Sequence, residues 1–146
     1  MEFISHSEAE TEALGEKLGL SRQAVSKSEH GVVIAMYGEL GAGKTAFVRG
    51  LARGLEVDGA VTSPTFTIVN ELYGKRDLFH FDMYRLGSAD ELFDIGWEDY
   101  LDRGGVCAVE WSENVPEAFD GSEIRVSIEK CSDNARKITI EGASLC

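Results

Sequence analysis

The sequence predicts an α/β fold: a mixed, mainly parallel sheet flanked by helices, with an antiparallel hairpin at the C-terminal end. Three observations predict it. An apolar run, Val32–Tyr37, leads through a glycine-rich segment, Gly38–Thr45, into Phe47, Val48, Leu51, Ala52 and Leu55 at helical spacing. Strand-like runs and helix starts are then interspersed along the middle of the chain, as in a sheet covered by helices. Two late runs, Ile124–Ile128 and Lys137–Ile140, alternate around Ser132-Asp133-Asn134 like a terminal hairpin. At 146 residues the chain suits one domain, 1–146, with one substantial core.

Taken in order, Ser7-Glu8-Ala9-Glu10 is a capping box, S-x-x-E, and opens a helix with Ala9, Ala13, Leu14 and Leu18 on one face. Gly19 ends it, or a second polar turn follows through Ser21–Ser28. Ser28–Gly31 turns into the apolar strand, and the helix after the glycine-rich segment fades at Gly54. Pro64 forbids helix within Thr62–Thr67 and favours an extended or loop conformation. Thr67–Tyr73 alternates like a strand, Gly74–Asp77 fits a hairpin turn, and Leu78–Tyr84 is a further strand carrying Asp82 near its end. Ser88-Ala89-Asp90-Glu91 fits a helix start, with Phe93, Trp97 and Leu101 on one face and Gly96 as an interruption. Gly105–Val109 reads as a buried strand, followed at once by Glu110-Trp111. No repeat or low-complexity stretch is visible.

The formal charge is −12, which argues against this chain gripping nucleic acid itself, because that needs clustered Lys and Arg. A net acidic surface favours solubility and also suits a basic protein partner. No apolar run approaches the ~20 residues that cross a bilayer, and the first residues have neither the basic region nor the apolar stretch of a signal peptide. Cys107, Cys131 and Cys146 are odd in number and lack metal-ligand spacing. A cytoplasmic location, with no membrane, is the natural expectation.

The chemistry starts at Gly38-Glu39-Leu40-Gly41-Ala42-Gly43-Lys44-Thr45, which is G-x-x-x-x-G-K-[ST] between a strand and a helix. Glycines let the backbone wrap a phosphate with N–H groups inward. Lys44 would reach the β- and γ-phosphates and the Thr45 hydroxyl would hold Mg²⁺. A second anchor for Mg²⁺ is commonly an acid at the C-terminal end of a neighbouring strand. Glu110 and Asp82 both qualify, against the plainer reading of solvated strand-end acids. Thr65 stands where a loop hydroxyl can sense the γ-phosphate, against that of a turn threonine. His80 reads as a satisfied core histidine, Trp97 and Trp111 as packing residues, and the cysteines as structural or incidental. Nothing matches Asn-Lys-x-Asp, the guanine-reading motif, and Asp102-Arg103-Gly104-Gly105 precedes a strand and is a chance match to Asp-x-x-Gly. The arginines are too scattered for the phosphate-clamping lid of a small-molecule kinase. Adenine nucleotide follows by elimination.

Four blocks, Gly38–Thr45, Ser63-Pro64-Thr65-Phe66-Thr67, His80-Phe81-Asp82-Met83-Tyr84-Arg85-Leu86 and Val109-Glu110-Trp111, together closely resemble the bacterial TsaE (YjeE) family. That resemblance implies a P-loop NTPase-like domain, the ATPase component of tRNA threonylcarbamoyladenosine synthesis. It implies ATP/ADP and Mg²⁺ as cofactors, TsaB and TsaD as protein partners, and tRNA reached only through the complex. The machinery places threonylcarbamoyl on N6 of adenosine 37 in tRNAs reading ANN codons; the TsaE-like member does not perform the transfer, and its hydrolysis resets the complex. By motif, Gly41, Ala42, Gly43, Lys44, Thr45 and Ala46 cradle the phosphates, and Thr45 and Glu110 hold Mg²⁺. Thr65 and Asp82 join Lys44 and Glu110 as positions needed for hydrolysis, and Thr11 and Arg136 lie near the nucleotide. Glu39, Ala46 and Leu72 depart from the family pattern, but Lys44 and Thr45 are intact. The expected activity is a weak, partner-activated Mg²⁺-dependent ATPase. The alternatives are an ATP-sensing adaptor that needs no hydrolysis and a small-molecule P-loop kinase.

Overall fold

The computed structural model describes residues 1–21, 31–39, 42–58, 69–83 and 89–143. Their strands are β1 (Glu2–Ser5), β2 (Val32–Tyr37), β3 (Val57–Asp58), β4 (Val69–Gly74), β5 (Leu78–Asp82), β6 (Val106–Glu110), β7 (Ile124–Ser132) and β8 (Ala135–Glu141). The helices are α1 (Glu8–Gly19), α2 (Lys44–Gly54), α3 (Ala89–Asp94) and α4 (Trp97–Asp102), with 3-10 turns at Ser112–Asn114 and Pro116–Ala118.

One sheet runs in the order β1-β8-β7-β2-β6-β5-β4-β3. Its centre is parallel: β7 with β2, β2 with β6, and β6 with β5. Both flanks are antiparallel, β7–β8–β1 on one side and β5–β4–β3 on the other. The C-terminal hairpin is present, and its first strand doubles as a parallel neighbour of β2 (Ile34↔Ile124). The burial of β6 on both faces explains its unbroken apolar run, Val106–Val109.

Period-two alternation sorts the sheet into two faces. Leu78, Val106, Ala108, Ile34, Met36, Val126 and Ile128 join Phe47, Val48 and Leu51 of α2 in one core cluster. Phe79, Phe81, Cys107 and Val109 join Leu92, Trp97 and Val115 in the other. Phe81 meets Trp97 edge-on at 5.2 Å. His80, Asp82 and Glu110 fall in phase with Leu78 and Ala108, on the side of α2.

Helix α1 begins where the capping box places it: the Ser7 hydroxyl accepts from Glu10 N–H at 3.1 Å, and the Glu10 carboxylate accepts from His6 N–H. It ends at Gly19, and residues 22–30 lie outside the described ones. Its inward face differs from the sequence expectation. Leu18 is buried and Leu14 packs against the core as expected, but Ala9 and Ala13 are exposed, and Thr11, Gly15 and Gly19 are buried in their place. The reason is backbone contact with α2. A Cβ at Gly50 would sit 1.8 Å from the Glu12 carbonyl oxygen, and one at Gly15 would sit 2.1 Å from that of Phe47. Bare glycines let the helices approach closer than an alanine face allows.

A second expectation also fails. Phe93 is exposed at 41%, while Leu92 and Trp97 are buried. Gly96, at φ +98, ends one helix and starts the next, so spacing counted across it does not hold one face. Strands β1 and β3 had no sequence expectation. The strand expected at Thr67–Tyr73 is described from Val69, and the one expected at Leu78–Tyr84 closes on Asp82. Residues 59–68, with Pro64, and 84–88 lie outside the described residues. Among the described residues, no helix is long and apolar enough to cross a membrane.

Candidate functional site

Strand β2 delivers the glycine-rich segment at the C-terminal end of the parallel strands, and α2 starts from it. Gly43 is the N-cap of α2 at φ +110, a left-handed conformation that a side chain would strain. Lys44 and Thr45 follow in the first turn, where free backbone N–H groups and the helix dipole favour an anion. Lys44 is 5% exposed. Its ammonium donates to the Gly38 carbonyl at 2.6 Å and lies 3.7 Å from the Trp111 ring centroid, a cation–π contact. Burial pushes the Lys44 ammonium below the ordinary lysine range, against the raising pull of the Glu110, Glu113 and Asp82 carboxylates.

Those acids come from the strand ends. Asp82 and Glu110 are the last residues of β5 and β6 and pair in register. Glu110 is buried and Asp82 half-buried. His80, fully buried, meets Glu110 through Nε2 and the carboxylate Oε2. Three further hydrogen bonds tie this end of the sheet together. The Ser112 hydroxyl donates to Val109 O at 2.8 Å and accepts from Met36 N–H at 3.1 Å, linking β6 to β2. Met83 N–H donates to Glu110 O at 3.1 Å, linking β5 to β6.

On the other side of the α2 N-terminus, Thr11, Ala42, Gly43, Ala46 and Arg136 line a pocket of about 250 Å³. The Thr11 and Ser5 hydroxyls share a hydrogen bond at 2.7 Å. Arg136 donates to Ala42 O at 3.1 Å and to the Ser132 and Ala135 carbonyls, so β8 is tied to the loop itself. A larger cleft, about 900 Å³, opens at the other end of β2 beside Val32, Leu101 and Phe119. Glu98, Asp102, Asp120 and Glu123 line it with no basic side chain among the described residues, whereas the smaller pocket sets Arg136 and the start of α2 against Glu8 and Asp133. The smaller pocket is therefore the better candidate for an anionic nucleotide.

Thus Thr11, Ala42, Gly43, Lys44, Thr45, Ala46 and Arg136 gather around the start of α2, with Asp82 and Glu110 at the facing strand ends. Gly41 and Thr65 lie outside the described residues. Sequence reasoning missed the contacts of three residues. Trp111, read as packing, covers the Lys44 ammonium. Ser112 lies in no motif, yet its hydroxyl links β6 to β2. His80 is indeed a core histidine, but its partner is Glu110; its place two residues before Asp82, on the same strand face, was the available signal.

The donor set suits a hard cation. Among the described residues no three acids, cysteines or histidines converge. Mg²⁺ does not need such a cage, since it takes one or two carboxylates together with phosphate oxygens and water. The Thr45 hydroxyl and the Glu110 carboxylate offer oxygen donors of that kind. The pairing of Oε2 with His80 leaves Glu110 Oε1 for a ligand.

The sequence model of the family described as "Threonylcarbamoyl adenosine biosynthesis protein TsaE" matches residues 5–138. The chain is 41% identical over 112 residues to the tRNA threonylcarbamoyladenosine biosynthesis protein TsaE of Treponema pallidum, covering 77% of this chain and 83% of that one. It is 39% identical over 142 residues to the protein of the same description from Aquifex aeolicus, covering 95% and 94%. The crystal structure of Bacillus subtilis YdiB matches with a TM-score of 0.74 at 30% identity, over 96% of this chain and 83% of that one.

Proposed function

This chain belongs to the TsaE family and takes part in tRNA threonylcarbamoyladenosine biosynthesis, and from that premise we propose that it is the ATP-binding and ATP-hydrolysing subunit of the process. It is a weak, Mg²⁺-dependent cytoplasmic ATPase of one domain, 1–146, activated by TsaB and TsaD, and its hydrolysis resets the complex between cycles. The observation that carries this reading is the convergence of Lys44 and the α2 N-terminus with Glu110 and Asp82 at the ends of three parallel strands.

In this reading Gly41 through Ala46 cradle the phosphates and Lys44 leaves the Gly38 carbonyl to bind the β- and γ-phosphates. Thr45 and Glu110 hold Mg²⁺, which when bound neutralises charge on the phosphates during phosphoryl transfer. Asp82 and Thr65 orient the hydrolytic step, and Thr11 and Arg136 flank the nucleotide. The net charge of −12 supports a subunit that leaves tRNA to its partners.

Calorimetric titration with ADP and a steady-state ATPase assay test this. Lys44→Ala should lose nucleotide binding. Glu110→Ala should lose Mg²⁺-dependent hydrolysis while keeping most nucleotide affinity, and full hydrolysis would remove Glu110 from the mechanism. Multiple-turnover tRNA modification with ATP should exceed that with a non-hydrolysable analogue. Equal yields would instead make the chain an ATP-sensing adaptor.

A further inference from the structure

We propose that His80 is a positioning residue for the metal site: it holds one oxygen of Glu110 so that the other is presented to Mg²⁺. The inference rests on the reading of Glu110 as a metal ligand and goes beyond it.

His80 sits in the middle of β5, fully buried, two residues before Asp82 and on the same sheet face. Its Nε2 meets Glu110 Oε2, whereas Nδ1 is buried with no hydrogen-bond partner among the described residues. A carboxylate only accepts, so the ring nitrogen that meets it is the donor: Nε2–H donates to Glu110 Oε2. One carboxylate oxygen is spent on this bond and cannot swing toward a cation.

The neighbouring strands make the arrangement rigid. His80 pairs with Ala108 and Asp82 with Glu110 in the same parallel ladder, so the imidazole and the carboxylate rise from two hydrogen-bonded strands. The backbone carbonyl of Glu110 is also held, by Met83 N–H. A ligand carboxylate fixed through its second oxygen is what metal sites generally use to set ligand orientation.

The test uses Mn²⁺ as the probe, titrated by electron paramagnetic resonance into the full chain saturated with ADP. His80→Leu, which lacks a donor, should weaken Mn²⁺ binding by roughly 10- to 100-fold. His80→Gln, whose amide can still donate, should recover most of that loss. Metal-free ADP affinity should change little in either. Equal Mn²⁺ affinity in His80→Leu and wild type overturns the proposal, as does equal weakening in both variants. Glu110→Gln separates the two layers of inference: if it leaves Mn²⁺ binding intact, the reading of Glu110 fails first. If it weakens binding and His80→Leu does not, only the role of His80 fails. Should His80→Leu not fold, nitrogen NMR on the wild type decides. A protonated Nε2 whose resonance shifts on adding Mg²⁺ to the ADP complex upholds the proposal, and a bare Nε2 or an unmoved resonance overturns it.

Discussion

Gly50→Ala makes a sharp test of the contact between α1 and α2, because two effects of opposite sign meet there. In an exposed helix interior, glycine to alanine gains about 1 kcal/mol from backbone entropy and helix propensity. Here the new Cβ would lie 1.8 Å from the Glu12 carbonyl oxygen, where ordinary contact begins near 3.4 Å. The atom it meets is backbone, so no rotamer change relieves it and α1 must move away. Overpacking of that kind costs about 1–3 kcal/mol and more when backbone shifts. The ion pairs along the same seam, Arg49 with Glu12 at 2.8 Å and Arg53 with Glu16 at 3.4 Å, do not rescue it. They are half-exposed and worth under about 1 kcal/mol each. The net expectation is a loss of up to about 2 kcal/mol in urea unfolding at constant slope. Ala13→Gly, on the exposed side of α1, supplies the scale by losing about 1 kcal/mol through propensity alone. If Gly50→Ala instead gains stability, the helices do not touch through their backbones in solution and the packing argument is wrong. Nucleotide affinity should fall along with stability, because α1 carries Thr11 against the loop glycine Gly43.

Three other outcomes follow from the geometry. Ser112→Ala removes the acceptor of the buried Met36 N–H and should cost about 1–3 kcal/mol in denaturant unfolding; a neutral substitution would mean that this bond does not hold β2 to β6. Saturating ADP should change tryptophan emission by drawing Lys44 off the Trp111 ring, and Trp111→Phe should abolish the change although Trp97 remains. An unaltered wild-type spectrum would show that Lys44 does not leave the indole. Glu71 is held below the usual glutamate range chiefly by the Tyr73 hydroxyl, with Arg103 aiding. A depressed carboxylate adds stability above its unfolded pKa and loses it as pH falls through its folded one. Glu71→Gln should therefore be less stable than wild type near neutrality, with the gap closing below the ordinary glutamate range. A gap that does not vary with pH would refute the assignment.

What the sequence made legible was whatever local chemistry dictates. The strand–glycine–helix passage into Lys44, the unbroken apolar β6 and the terminal hairpin all follow from short-range pattern. The acids at Asp82 and Glu110 could be placed because each closes a strong strand. Helix α1 could be found from its capping box, yet its buried face could not, since hydrophobic periodicity favours Ala9 and Ala13 while the partner helix selects Gly15 and Gly19. Phe93 was misplaced for a related reason: Gly96 breaks the helix, and a spacing of four carries no meaning across a break. The contacts of Ser112, Trp111 and His80 depend on which strands become neighbours, and that is a property of topology. Edge strands β1 and β3 are too short to show a period at all.

The sheet order also bears on when the site can exist during folding. Strand β2 hydrogen-bonds to β6 and β7 and to no nearer segment of the described chain, whereas β4–β5 and β7–β8 are hairpins between close neighbours. Hairpins close over short loops and form early; contacts between distant segments bear the larger loop-closure cost and come late. A ribosome therefore releases the phosphate loop well before Val106 is made, and until then both hydrogen-bonding edges of β2 lack the strands that pair with them in the fold. The contacts that complete the nucleotide site are therefore those with the larger loop-closure cost, and nucleotide that binds only the finished site adds its binding free energy to that state.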